Sequence, residues 1–283
     1  MMRALALLIS AVAFGQSGFQ FREIEPGRHR LSDGSEPVFV YNASPQLASG
    51  APADKQRCCY LHPVHAPGGV VVTDDFPKDH WHHRGLFWAW PIVEIDGRKY
   101  DPWLVQGLRQ RSRKVKTSVE AGNGVLSAEN EWRVDERIVA TEAIRMEAMP
   151  AQAKSRRLRF TLTFEAVHSP MALRGEPGDN KGYGGFSVRF APRENTILTT
   201  SRGREPEDSN MAQLPWAQLE GRFSGRRAAL RIDIDPSNPG YPNGWCLRHY
   251  GFLGVNFPGL VSFQLQPRRP LTLRYTVTLT SLE

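Results

Sequence analysis

Leu271-Thr272-Leu273-Arg274-Tyr275-Thr276-Val277-Thr278-Leu279-Thr280 places an apolar side chain at every second position and a polar one between. Period two marks a β-strand with one packed and one wet face, because successive side chains leave a pleated chain on opposite sides. The pattern recurs in Leu158, Phe160, Leu162 and Phe164 against Arg159, Thr161, Thr163 and Glu165, and again in Leu230, Ile232 and Ile234. Ile95-Asp96-Gly97-Arg98 and Ala121-Gly122-Asn123-Gly124 read as hairpin connections, and Ala66-Pro67-Gly68-Gly69 as a turn. One short helix is expected between Pro206 and Leu219. Strands alternating with long amphipathic helices are not seen, which argues against a parallel α/β sheet. The expected fold is all-β, with large antiparallel sheets packed face to face as a β-sandwich.

With 40% hydrophobic and 23% charged residues, the 283-residue chain has a globular composition. No apolar stretch reaches the roughly 18 residues that cross a bilayer, so no integral membrane segment is expected. Arg3, the apolar stretch after it and the small residues Ala13 and Gly15 read as a secretory signal peptide. Residues 1–15 are therefore expected to be removed, leaving a single domain over 16–283 in a periplasm or outside the cell. Net charge is +7, or +6 without Arg3, and the arginines are scattered. No basic stripe with aromatic platforms marks a nucleic-acid binder. Cys58, Cys59 and Cys246 are an odd count. A bridge from Cys246 to Cys58 or Cys59 is one reading and three small buried residues the other, while adjacent cysteines rarely bridge.

The chemistry concentrates in Asp79-His80-Trp81-His82-His83-Arg84-Gly85, which holds three of the 8 histidines. Unpaired imidazoles are costly to bury and change charge near neutral pH, so several together point to proton transfer, metal ligation or anion binding. On a strand, His80, His82 and Arg84 would share one face and Asp79, Trp81 and His83 the other. His80 and His82 then have metal-ligand spacing, with His62, His65, Asp74, Asp75 and His249 as candidates for a third ligand to a divalent metal. In a loop, Asp79 would instead orient His83 as a carboxylate orients a general base. Two further segments carry candidates. Gly178 to Phe190 holds Arg189, opposite in facing to Phe186, Val188 and Phe190, and Asn238 to Gly251 holds Arg248 and Tyr250, favoured over His249.

Three segments together are similar to a bacterial family of unknown function often labelled methane-oxygenase PmoA-like. They are His62-Pro63 with Asp74 to Trp90, Gly178 to Arg189, and Asn238 to Asn256, the His-rich run being the most specific. Methane oxidation is discounted, because the monooxygenase subunit of that name spans the membrane. The resemblance implies a secreted protein, found beside sugar dehydrogenases and other carbohydrate-degrading proteins, with a sandwich like that of galactose mutarotase.

Three functions are expected in this order. First is a carbohydrate-active lyase, epimerase or hydrolase acting on a small-molecule or oligosaccharide substrate. In it His80, His82 and His83 move protons, with Asp79 in support, and Arg84, Arg189 or Arg248 steadies a carboxylate or enolate. Tyr250, Trp88 and Trp90 contact the sugar, and Glu142 is an extra carboxylate. Second is an oxygenase-type metalloenzyme with iron, copper or zinc on His80 and His82; it departs from the cupin pattern, since Phe87 stands where that pattern has glutamate. Third is a non-catalytic glycan-binding module.

Overall fold

The computed structural model describes residues 18–283, and the expected leader lies outside the described residues. Strands Ser155–Ala166 and Leu271–Ser281 pair antiparallel, with Leu158 opposite Val277, Phe160 opposite Tyr275 and Leu162 opposite Leu273. Burial alternates strictly along both, as their period-two sequences require. They lie inside a nine-stranded antiparallel sheet that runs from Gly203–Glu205 through Glu194–Thr200, Trp216–Phe223, Arg226–Ile234 and the central pair to Arg137–Ala148, Asn123–Val134 and Arg109–Glu120. Two of its hairpin partners meet through Ala121 (φ 48°) and Gly122 (φ 80°), the two left-handed residues of the tight turn that suits twisted strands.

A ten-stranded sheet packs on its apolar face. It runs from Phe19–Glu25, Arg28–Asp33, Glu36–Asn42 and Tyr60–Ala66 to Leu86–Ala89, Gly185–Arg189, Phe252–Asn256, Gly244–Arg248 and Ser209–Asn210, with Val70–Val71 beside Tyr60–Ala66. A four-stranded sheet formed by Phe263–Leu265, Met171–Arg174, Ile92–Ile95 and Arg98–Tyr100 adds to the same core. Aromatic side chains lock the two large sheets together. Trp90 meets Trp132 and Phe164 at 5.4 and 5.3 Å between ring centres, and Phe186 meets Phe160 and Tyr275 at 5.1 and 4.4 Å. Each such pair adds about 0.5–1.5 kcal/mol to the area it buries. The all-β antiparallel sandwich expected from the sequence is the fold the chain adopts. The helix expected between Pro206 and Leu219 does not form. Ser209–Asn210 pairs with Cys246 and Leu247, and Trp216 opens a strand, because a short polar segment carrying Pro206 and Pro215 has no apolar stripe to bury as a helix.

The middle of the ten-stranded sheet is buried on both faces, and Leu86–Ala89 reads as an unbroken apolar run rather than an alternation. Leu86, Trp88, Phe186, Val188, Trp245, Leu247 and Leu253 face the main core. Phe87, Ala89, Cys246 and Phe252 face outward and join Tyr60 and Trp103 in a second apolar cluster. The loops over this outer face carry the histidines.

Candidate functional site

Asp74 to Gly85 is a loop, not a strand. Its ends are sewn to the strand Gly185–Arg189: the Asp74 amide donates to the Arg189 carbonyl at 3.0 Å and the Arg189 amide to the Gly85 carbonyl at 2.8 Å. Between them, the His80 amide donates to Pro77 and the His83 amide to His80, so the chain turns twice in succession. Gly85 closes the loop where a Cβ would lie 2.1 Å from the Leu61 carbonyl oxygen, so no larger residue fits.

The turns gather all three imidazoles, where strand geometry would have divided them. His80 stacks on His83 at 4.6 Å and 7°, and His82 meets His83 edge-on at 4.6 Å and His80 at 5.6 Å. Asp79 pairs with His80 rather than His83: its Oδ2 lies 3.0 Å from His80 Nδ1, a close contact without the alignment of a full hydrogen bond. The same carboxylate accepts from Arg189 Nη2 at 2.8 and 2.7 Å. Arg189 faces outward from its strand, as alternation with Phe186, Val188 and Phe190 requires, and is buried behind Asp79. Tyr250 stacks on His80 at 5.5 Å and covers the Arg189 guanidinium at 4.8 Å.

These groups border a cavity of about 350 Å³. Its walls are the three histidines, the rings of Trp103, Tyr183, Tyr250 and Phe252, and Leu104, Cys246, Lys181 and Arg248. Among the described residues no Asp or Glu lines it. Trp103 is held by its own loop: its amide donates to the Trp90 carbonyl, and Asp101 Oδ1 accepts from the Leu104 amide at 2.8 Å. Val105 takes φ 64° in that loop, a conformation costly for a β-branched residue and tolerated only where the surroundings impose it.

Electrostatics divide the cluster. Burial, with Arg57 and His80 nearby, lowers His82 to about 3; burial with His82 and His80 beside it holds His83 well below the ordinary range. Both are neutral imidazoles at physiological pH. Burial works against the Asp79 carboxylate, but Arg189 and His80 hold its carboxyl below its usual value.

Acid should therefore unfold the protein. Unfolded histidines take up protons near pH 6.5, whereas His82 waits until about 3, His83 lies well below 6.5, and His62, lowered by burial, waits until about 4. Between pH 6.5 and 4 the unfolded chain thus binds more protons, and stability falls with pH. Asp75 opposes this, since burial raises its carboxyl to about 6 and the folded chain then holds the extra proton below that pH. His65, lowered by burial, adds to the histidine side, while Asp74, Asp101 and Glu142, raised by burial, join Asp75, so the fall is steepest just below pH 6.5 and is increasingly offset toward pH 4. Melting temperature is expected to drop steeply from pH 6.5 to 4.5 and less steeply in His83→Gln. A midpoint independent of pH would contradict neutral buried imidazoles.

Asp79 and Arg189 stand behind His80 without lining the cavity, and four other residues singled out from the sequence lie away from it. Arg84 is fully buried behind the loop, donating to the carbonyls of Trp81, His83 and Lys55, 3.6 Å from Asp75 and 3.4 Å above the Phe76 ring. It clamps the loop and does not reach a ligand. Trp88 and Trp90 project into the main core, so neither can stack on a sugar. Glu142 is buried between the sheets and accepts from Asn130, Trp132 and Gln110 at 2.7, 2.8 and 2.9 Å. Burial raises its carboxyl above the usual range.

Among the described residues no group of three or more His, Cys, Asp or Glu side chains is placed to hold one metal ion. His80 and His82 meet edge-on with ring centres 5.6 Å apart, and the third-ligand candidates are engaged elsewhere, Asp74 accepting from the Asp75 amide at 2.9 Å. His62 bonds Thr73, His65 the Gly69 carbonyl, Asp75 Tyr60 and His249 Asp208. The Cys246 bridge does not form either. All three cysteines are free and buried, with Cys58 and Cys59 sulfurs 3.2 Å apart and Cys246 on the histidine cavity.

Trp103, Leu104, Tyr183, Lys181 and Phe252 are cavity residues that sequence reading passed over. Tyr183 and Lys181 lie inside the glycine-rich segment already singled out, and Phe252 directly follows the turn-rich segment that ends at Gly251. Trp103 carries no such signal beyond an aromatic in the polar turn Asp101-Pro102-Trp103.

Residues 28–282 match the model of a family described as a family of unknown function, DUF6807. No curated protein matches the chain. A solved structure named as a candidate kojibiose phosphorylase from human microbiome is similar over 93% of this chain, at 7% identity and a TM-score of 0.38. The chain spans 33% of that structure's length.

Proposed function

The chain belongs to the DUF6807 family of unknown function, and for it we propose an enzyme that binds a small carbohydrate in the histidine cavity and moves a proton on it. The observation that carries the reading is His80, backed by Asp79, itself held by buried Arg189, at a cavity walled by aromatic rings and free of carboxylates. Aromatic walls suit the C–H faces of a sugar ring, and Lys181 and Arg248 offer donors to hydroxyl or acid groups. With its proton on Nδ1 toward Asp79, His80 would keep Nε2 as the acceptor, the arrangement of an oriented general base. His82 and His83, neutral by burial, add hydrogen-bonding groups without like-charge repulsion.

Within the lyase, epimerase and hydrolase classes this favours abstraction of a proton from carbon. Most glycoside hydrolases flank the scissile bond with two carboxylates, and the lining has none. Incubation in D₂O with a panel of neutral and acidic mono- and disaccharides tests the reading. Deuterium entering a carbon next to a carbonyl or carboxylate supports it. Hydrolysis without exchange contradicts it, and binding without any chemical change would make the cavity a glycan-binding site instead.

A further inference from the structure

A second cavity, of about 540 Å³, opens on the opposite side of the Asp101–Leu108 loop: Trp103 and Leu104 face the histidine cavity, whereas Pro102, Val105 and Leu108 face this one. Its lining is rich in arginine. Arg57, only 6% exposed, has no carboxylate within ion-pair distance among the described residues; its guanidinium donates to the carbonyls of Pro102 and His82. Arg109 likewise donates only to carbonyls, those of Gln56 and Asp54, each at 3.2 Å. Arg111 lines the same space without an ion pair, while Arg133 is committed to Glu131 and Glu136. Asp135 is the one lining carboxylate outside these pairs. Three guanidiniums without an ion pair against one carboxylate leave two positive charges facing one open cavity.

A buried cation without a counterion is costly unless something supplies one. Burial and the neighbouring Arg84 already pull the Arg57 guanidinium down to about 9. Carbonyl dipoles satisfy part of its hydrogen bonding and none of its charge. We propose that this cavity is a binding site for a small polyanion bearing carboxylate or phosphate groups, distinct from the histidine cavity, with Arg57, Arg109 and Arg111 as its ligands. Arg57 also holds the carbonyls of Pro102 and His82, so an anion that engages it acts on both walls of the neighbouring cavity.

Calorimetric titration with inorganic phosphate, and separately with citrate, at ionic strength matched with sodium chloride tests the site. One saturable event per chain is expected, accompanied by a melting temperature that rises with anion concentration beyond the chloride control. Saturation by phosphate or by citrate supports the proposal and identifies the anion class. The double variant Arg109→Ala/Arg111→Ala is expected to weaken binding at least tenfold. Arg111→Ala alone, an exposed side chain without a structural partner, is expected to weaken it about threefold. His80→Asn should leave it unchanged. Stabilisation no greater than that of chloride, or equal binding by the double variant, would overturn the proposal, and either result leaves the proton-transfer reading of the histidine cavity untouched.

Discussion

His80→Asn is expected to lower solvent exchange and turnover by about 10²–10⁴-fold, the usual contribution of a positioned general base, with little change in melting temperature. The two effects separate because of where His80 sits. Its side chain is 37% exposed and holds no strand or loop by hydrogen bonding, so its loss removes little packing. What is lost is the one imidazole that a carboxylate orients from behind and the cavity meets in front. Asparagine keeps a polar contact to Asp79 and cannot accept a proton from carbon. Arg189→Met should act through Asp79: a smaller loss of rate, a shifted pH profile, and partial recovery in Arg189→Lys, which returns the charge without the shared hydrogen bonds. Unchanged exchange in His80→Asn, with the fold intact, would remove His80 from the chemistry.

Glu142→Leu is expected to have the largest effect on stability, a loss of about 3–5 kcal/mol, as when one partner of a buried charged network is removed. Leucine fills similar volume, so the loss is not a cavity effect. It leaves Asn130 Nδ2, Trp132 Nε1 and Gln110 Nε2 without their acceptor inside the sandwich. Glu142→Gln keeps one oxygen for these donors and sets an amide nitrogen against the others, so its loss should be smaller. Denaturant unfolding of both variants checks the order. A neutral Glu142→Leu would mean that the carboxylate is not what the donors depend on, and would reopen a role for it in chemistry.

The sheets were legible because their outer faces are wet. Leu271 to Ser281 and Ser155 to Ala166 alternate cleanly, and Asp96-Gly97 and Ala121-Gly122 supply the positive φ values that tight hairpins demand. That logic offers nothing for Trp88 and Trp90. Leu86–Ala89 is a strand buried on both sides, with Trp90 directly after it, so no polar residue marks which face is the core and which the site. Facing arguments also failed for Asp79 to Gly85, since a chain that turns at His80 and again at His83 has no period of two. That is why Arg84 and Arg189 exchanged places. The arginine beside the histidines in sequence is buried beneath their loop, and the one 110 residues from Asp79 holds its carboxylate. Glu142 reads in sequence as an extra carboxylate of the site, and only the neighbouring strands of its own sheet, which bring Asn130, Trp132 and Gln110 to it, reveal that its partners are structural. The turn-rich segment pointed to Arg248 and Tyr250, although Tyr250 sits in the turn after Gly244–Arg248 rather than on its strand face, whereas Trp103 depends on a loop whose position is set by contacts distant in sequence.

The account rests on the histidine cavity as the place where substrate binds, and a crystal structure of the protein soaked with neutral and acidic mono- and disaccharides tests that most directly. The predicted result is a sugar ring against Trp103, Tyr183 or Tyr250, with a ring carbon within about 3.5 Å of His80 Nε2 and its polar groups toward Lys181 and Arg248. A sugar bound only elsewhere on the surface, with the cavity left to solvent, would contradict it.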